Sequence, residues 1–146
     1  MKLLNKFVIV ITLFVALFSF NACSSDDDSG NLEEYVLGTW YTYKCVVYAQ
    51  GEKYDIEVSK NGQYSNDYFE FKFDKNGNAT VGYWDVDENG MSSWFVNNVT
   101  YVIKDDIVEL NNGVSVLTLV YDKSEKALYY RYYQSSDGYA YLYMRK

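Results

Sequence analysis

The sequence predicts an all-β domain, an antiparallel up-and-down sheet of about eight to nine short strands closed into a barrel, and three observations predict it. The chain holds 17 Tyr, 8 Phe and 3 Trp with no Pro, and such aromatic residues fit a pleated, half-buried surface. Its β-prone runs are punctuated by Asn, Asp and Gly clusters, which supply the positive φ angles that tight hairpins need. Phe69, Phe71 and Phe73 share one face of a run whose other face carries Glu70, Lys72 and Asp74, so one side is dry and one wet.

The elements follow in chain order. Met1 to Lys6 is a short basic stretch carrying Lys2 and Lys6, and Phe7 to Phe20 is a run of 14 apolar or small residues. That run is too short for a membrane span, which needs about 20 residues, but it suits a signal-peptide core. It ends at Phe20-Asn21-Ala22-Cys23, which resembles a bacterial lipobox. The resemblance implies cleavage after residue 22 and lipid on Cys23; Phe20 and Asn21 depart from the commonest pattern. Acyl chains there would hold a polar domain at a membrane, each buried methylene adding about 0.8 kcal/mol. Ser24 to Gly30 is an acidic, flexible tether. It also resembles the signal that sends some Gram-negative lipoproteins to the cell surface. The expected segments are therefore 1–22 leader, 23–31 lipidated Cys and tether, and 32–146 barrel.

A brief helical turn is expected over 31–36. Strands follow near 39–49, 54–58, 68–73, 79–86, 93–104, 107–110, 114–122, 127–134 and 139–145. The breaks are Lys60-Asn61-Gly62, Asp74-Lys75-Asn76-Gly77, Asp87-Glu88-Asn89-Gly90, Asn111-Asn112-Gly113 and Ser136-Asp137-Gly138. Hairpin-joined strands predict a meander, and closing it removes the exposed edges. Cys45 falls inside the first strand and reads as a buried thiol without a disulfide partner.

Asn31 to Trp40, a short helical turn followed by Gly-x-Trp at the head of the first strand, resembles the lipocalin opening. The region 32–146 is similar to the small bacterial lipocalin-like domains that follow lipoprotein leaders. Phe71 to Gly77 is similar to their strand-and-turn unit, and Tyr101 to Leu110 to their central hairpin. The resemblance implies that Gly38 and Trp40 mark a closed barrel end and that Arg145 lies across Trp40. It brings no ligand-contact set, and fold does not imply function. Parity raises a conflict in the first strand: with Trp40 inward, regular alternation sends Lys44 inward and Cys45 outward. A bulge near Tyr43 would repair it.

Charge and chemistry narrow the function. The chain carries a net charge of −7, or −9 once Lys2 and Lys6 leave with the leader, so nucleic acid is not expected as a partner. No His is present, and no nucleophile–base pair, metal cluster or phosphate loop stands out, so neither an enzyme nor a cofactor is expected. Asp85 to Gly90 matches half of a calcium loop, but Val96 occupies the position where a bidentate Glu is needed, and a polar hairpin tip explains the segment. Asn78-Ala79-Thr80 and Asn98-Val99-Thr100 are sequons by chance.

Tyrosines crowd the C-terminal strands. Cross-strand pairing accounts for them without a ligand, while a tyrosine-lined cavity suits lipids, sugar rings or proteins. Tyr130 and Tyr132 share one face, Tyr141 and Tyr143 another, and these four are the ligand-binding candidates. If Arg145 turned inward, Tyr141 and Tyr143 would line the interior.

The expected function is a lipoprotein of a Gram-negative outer membrane, held by acyl chains and displayed on the surface or facing the periplasm. Its barrel would take a small apolar or glycan-like ligand. The alternative is a filled barrel acting as an accessory subunit, adhesin or inhibitor with an envelope protein partner. An internal void separates the two, since barrels of this size either fill with side chains or hold one small molecule.

Overall fold

Turn chemistry sets where each strand stops. A computed structural model describes residues 31–146; residues 1–30, and with them the expected leader, Cys23 and most of the tether, lie outside the described residues. Asn31 caps the helical turn α1 (Leu32–Tyr35) by accepting from the Glu33 N–H at 3.2 Å. Gly38, at φ +105°, then reverses the chain into β1 (Gly38–Ala49), a conformation that a side chain would strain.

The remaining strands are β2 (Glu52–Glu57), β3 (Phe69–Phe73), β4 (Asn78–Val86), β5 (Ser92–Lys104), β6 (Ile107–Asn111), β7 (Val116–Asp122), β8 (Ala127–Ser135) and β9 (Gly138–Arg145). Each begins and ends within two residues of its expected position. Asp74 fixes the β3–β4 turn by accepting from the Asn76 and Asn78 N–H groups at 2.8 and 2.9 Å, and these bonds hold its carboxyl below the usual range. Asp87 does the same at the β4–β5 tip, taking the Asn89 and Met91 N–H groups at 2.9 and 2.8 Å. That carboxylate therefore serves the turn in the segment resembling half of a calcium loop.

All pairings are antiparallel. β1, β3, β4, β5, β6, β7, β8 and β9 follow one another round a ring, and β9 closes back onto β1. This is an eight-stranded, closed antiparallel barrel with one helical turn before it. The simple meander expected from the sequence needs one correction. β2 pairs with the second half of β1, while β3 skips it and pairs with the first half, Gly38–Tyr41. The reason lies in β2 itself: Glu-Lys-Tyr-Asp-Ile-Glu leaves every residue but Ile56 exposed, so it has no face to give a core.

The conflict in β1 is resolved by a bulge. Thr42 pairs with Met144 and Lys44 with Tyr143, so one extra residue, Tyr43, lies between two regular stretches. Trp40, Thr42 and Cys45 consequently all face inward and Lys44 faces out. Just before the bulge, the Thr42 hydroxyl bridges to β3, donating to the Phe69 carbonyl at 3.3 Å and accepting its N–H at 3.1 Å.

The end of the barrel at Trp40 is solid. Trp40, Phe71, Leu119, Leu128 and Met144 are all fully buried there. The Trp40 indole N–H donates to the Val36 carbonyl at 2.7 Å, tying α1 across that end.

Candidate functional site

The mouth lies at the opposite end, and strand registers decide which side chains enter it. Phe71 and Phe73 belong to the buried core, so Phe69 on the same face also points inward. Phe69 pairs with Tyr83, and Tyr83 with Phe95, which carries the inward face across β4 to β5. From the far wall, Tyr130 on β8 pairs with inward-facing Leu142. Its ring meets Phe69 edge-on at 6.1 Å.

A second bulge aims the next residue. Arg131 pairs with Tyr141 and Tyr133 with Ala140, leaving Tyr132 as the extra residue. Its ring lies edge-on to Tyr130 at 6.3 Å, and its phenol feels the Asp67 carboxylate. The result is an arc of five rings, Phe95, Tyr83, Phe69, Tyr130 and Tyr132, spanning the interior from β5 to β8. Its middle is covered, but Phe95 and Tyr132 are each 46% exposed although both face inward. Inward-facing rings open to solvent define a cup.

Polar groups sit at the two ends of this arc. The Asn97 amide donates to the Tyr83 hydroxyl at 3.1 Å at one end. At the other, Asp67 raises the Tyr132 phenol to about 12, with burial adding to the effect. Burial, then the nearby Tyr132, Asp67 and Cys45, pushes the Tyr130 phenol well above its ordinary value. Cys45 is buried on the inner face, and burial followed by Asp67 raises its thiol as well. A cleft of about 130 Å³ adjoins the arc, between the Val81, Asn97 and Val99 wall and Leu110 and Leu117.

The four tyrosines named from sequence do not form one group. Tyr130 and Tyr132 enter the cup. Tyr141 and Tyr143 do not: Ala140, Leu142 and Met144 are the buried, inward residues of β9, so the odd-numbered residues stand on the outer wall. There they join a tyrosine layer. Tyr129 stacks on Tyr143 at 5.2 Å and meets Tyr141 edge-on at 5.5 Å, and Tyr48 stacks on Tyr139 at 4.7 Å.

Arg145 shares that outward parity. It lies over the Tyr43 ring at 4.7 Å rather than across Trp40. The position expected of it is filled by the next residue, Lys146, whose ammonium lies 5.5 Å from the Trp40 ring and 4.9 Å from Tyr35. Gly38 and Trp40 do stand at the solid end.

Sequence reasoning did not single out Tyr83, Phe95, Asn97 or Asp67. The first three were reachable by carrying the Phe69 parity through the short β3–β4 and β4–β5 turns. Asp67 was not, because it sits on a 3-10 turn, Ser65–Asp67, whose direction no period reports.

No protein-family model matches the chain, and no curated protein matches it. Among solved structures it is similar to lobster apocrustacyanin A1, at 14% identity over 84% of this chain and 69% of that one, with a TM-score of 0.38.

Proposed function

We propose that this chain is a lipid-anchored envelope lipoprotein whose barrel takes one small, neutral, ring-bearing ligand in the mouth-side cup. The observation that carries the reading is the five-ring arc with its two inward-facing ends left open to solvent. Ring faces and edges favour a flat apolar body, such as an aromatic ring or the apolar side of a sugar. Asn97 and Asp67 offer hydrogen bonds to its polar edge, which suits a glycan-like ligand as well as a purely apolar one. Asp67 disfavours a carboxylate at the rim, so fatty acids are poor candidates. The groups described support binding and orientation, and we assign no catalytic step.

Titration of the protein in detergent with neutral aromatic compounds, neutral sugars and lipids tests the cup. Phe95→Ala and Tyr132→Ala should each weaken the best ligand about tenfold. Unchanged affinity in both variants would overturn the assignment.

The anchor rests on Cys23, with the acidic tether supporting display at the surface of the outer membrane. Cys23→Ala should abolish acyl labelling and release the protein from membranes; retention without labelling would refute it. A second reading, an accessory subunit for an envelope protein, is favoured by the outer tyrosine layer. There Lys44 lies over Tyr143 at 4.6 Å and Arg131 over Tyr141 at 5.6 Å, the aromatic and arginine chemistry of protein interfaces.

A further inference from the structure

A groove of about 840 Å³, several times the interior cleft, lies on the outer wall across β3, β4, β5 and the β6–β7 turn. Its volume falls in the range of about 300–1,000 Å³ that small-molecule sites occupy. Strand pairing builds its floor. Lys72, Thr80 and Asn98 form one cross-strand row, and Asn78, Thr100 and Asn111 form the next. The two Asn-x-Thr triplets at 78–80 and 98–100 are thus locked antiparallel, each Asn opposite a Thr. What looked like chance sequons is a square of amides and hydroxyls.

Hydrogen bonds already made decide what this square can offer. Asn111 accepts from the Gly113 N–H at 2.7 Å, and Asn112 accepts from the Val114 and Ser115 N–H groups at 2.9 and 2.8 Å. Both carbonyl oxygens therefore serve the turn, while both NH₂ groups stay available as donors. Asn78 is the reverse: its NH₂ donates to Asp74 at 3.2 Å, leaving its carbonyl oxygen as an acceptor. The Asn98 and Thr80 side chains make no hydrogen bond to other described residues. Donors and acceptors are interleaved, as hydroxyl groups require, since each hydroxyl both gives and receives.

Two features of the described lining favour a neutral, polar ligand. No aromatic ring stands among the groove's described lining residues, so these offer an apolar body no stacking. The charged side chains among its described lining residues are Lys72 and Asp74, which balance, so an anion finds no net attraction there on a chain that is already acidic.

We propose that this groove is a second binding site, separate from the cup, for a neutral saccharide. The full-length protein in detergent micelles should be titrated with a panel of neutral hexose oligosaccharides and a parallel panel of uronate oligosaccharides. Calorimetry would give affinity, and unfolding curves would check each variant's fold. We expect saturable binding of a neutral oligosaccharide that is insensitive to ionic strength. Asn98→Ala and Thr80→Val should each weaken it about tenfold, and Phe95→Ala in the cup should leave it unchanged. Loss with Phe95→Ala but not Asn98→Ala would place the sugar in the cup and overturn the groove. Binding of uronates alone, weakened by salt and by Lys72→Gln, would make it an anion site and overturn the neutral class. Absence of saturable binding to every neutral member would overturn the proposal while leaving an aromatic ligand for the cup intact.

Discussion

The two ends of this barrel use the same kind of side chain to opposite ends. At the Trp40 end, Phe71 stacks against Phe73 at 6.4 Å and both are buried under α1. At the mouth, Phe95 stacks against Tyr83 at 6.2 Å on the same inner surface, yet nearly half of Phe95 faces water. The difference comes from the strands around them. The solid end is roofed by the helical turn, which Trp40 ties in place. Toward the mouth the wall thins: β6 pairs with β5 only over Thr100–Lys104, and β7 with β8 only over Tyr129 to Ala127. Among the described residues, the outer stretches of β5 and β8 have no strand partner there on one side, and their inward rings lose cover. Aromatic content alone therefore reports neither core nor site; the extent of strand pairing separates them.

The sharpest way to break this contrast is to remove one ring from each end. Trp40→Ala should cost about 3–5 kcal/mol in urea unfolding, because it empties a buried volume and leaves the Val36 carbonyl without its donor. Phe95→Ala should cost less than about 1 kcal/mol, since its ring already meets water. Equal losses would mean that the mouth is closed in solution.

Thr42→Val tests the junction between the halves. The hydroxyl is buried and bonds both backbone groups of Phe69, the residue where the solid core passes into the arc. Valine keeps the shape and strands those two groups, at a cost of about 1–3 kcal/mol. A loss near zero would show that water reaches Phe69 and that the open half extends deeper.

How much of this was legible depends on contrast between neighbouring residues. Strand limits were readable because Asp74, Asp87 and Asn112 carry turn chemistry that no strand tolerates well. The β1 bulge was readable because Lys44 and Cys45 differ so strongly that only one can face in. The β8 bulge was not, since Tyr129-Tyr130-Arg131-Tyr132-Tyr133 offers aromatics to both faces. In β9 the alternation was plain but its direction was not: Tyr, Leu and Met can all be buried, so the choice hung on Arg145. The resemblance gave Arg145 the place over Trp40, and the chain reaches that place with Lys146. The displacement of β2 was hidden for another reason. It follows from β3 finding the first half of β1, a pairing across some thirty residues that local pattern does not encode.

The finest test of the contrast is titration of the tyrosines. Ordinary phenols lose their proton near 10, whereas Tyr132 is raised to about 12 by the Asp67 carboxylate, Tyr68 to about 12 by burial, and Tyr143 to about 12 by burial. A phenol raised in the folded state favours folding while it keeps its proton. That contribution is fully present below pH 10 and is lost as pH rises through 12. Stability should therefore hold through neutral pH and decline in that alkaline window, read as a falling urea midpoint. Ultraviolet titration of the folded protein should show a late-ionising set of tyrosines, and Tyr132→Phe should remove one member of it. Asp67→Asn should move that same phenol earlier without touching Tyr143, because Tyr143 answers to burial and then to Asp122 on the outer wall. If Tyr132→Phe leaves the late set unchanged, the contact with Asp67 does not hold in solution. The cup would then lose the polar end that argues for a neutral ligand.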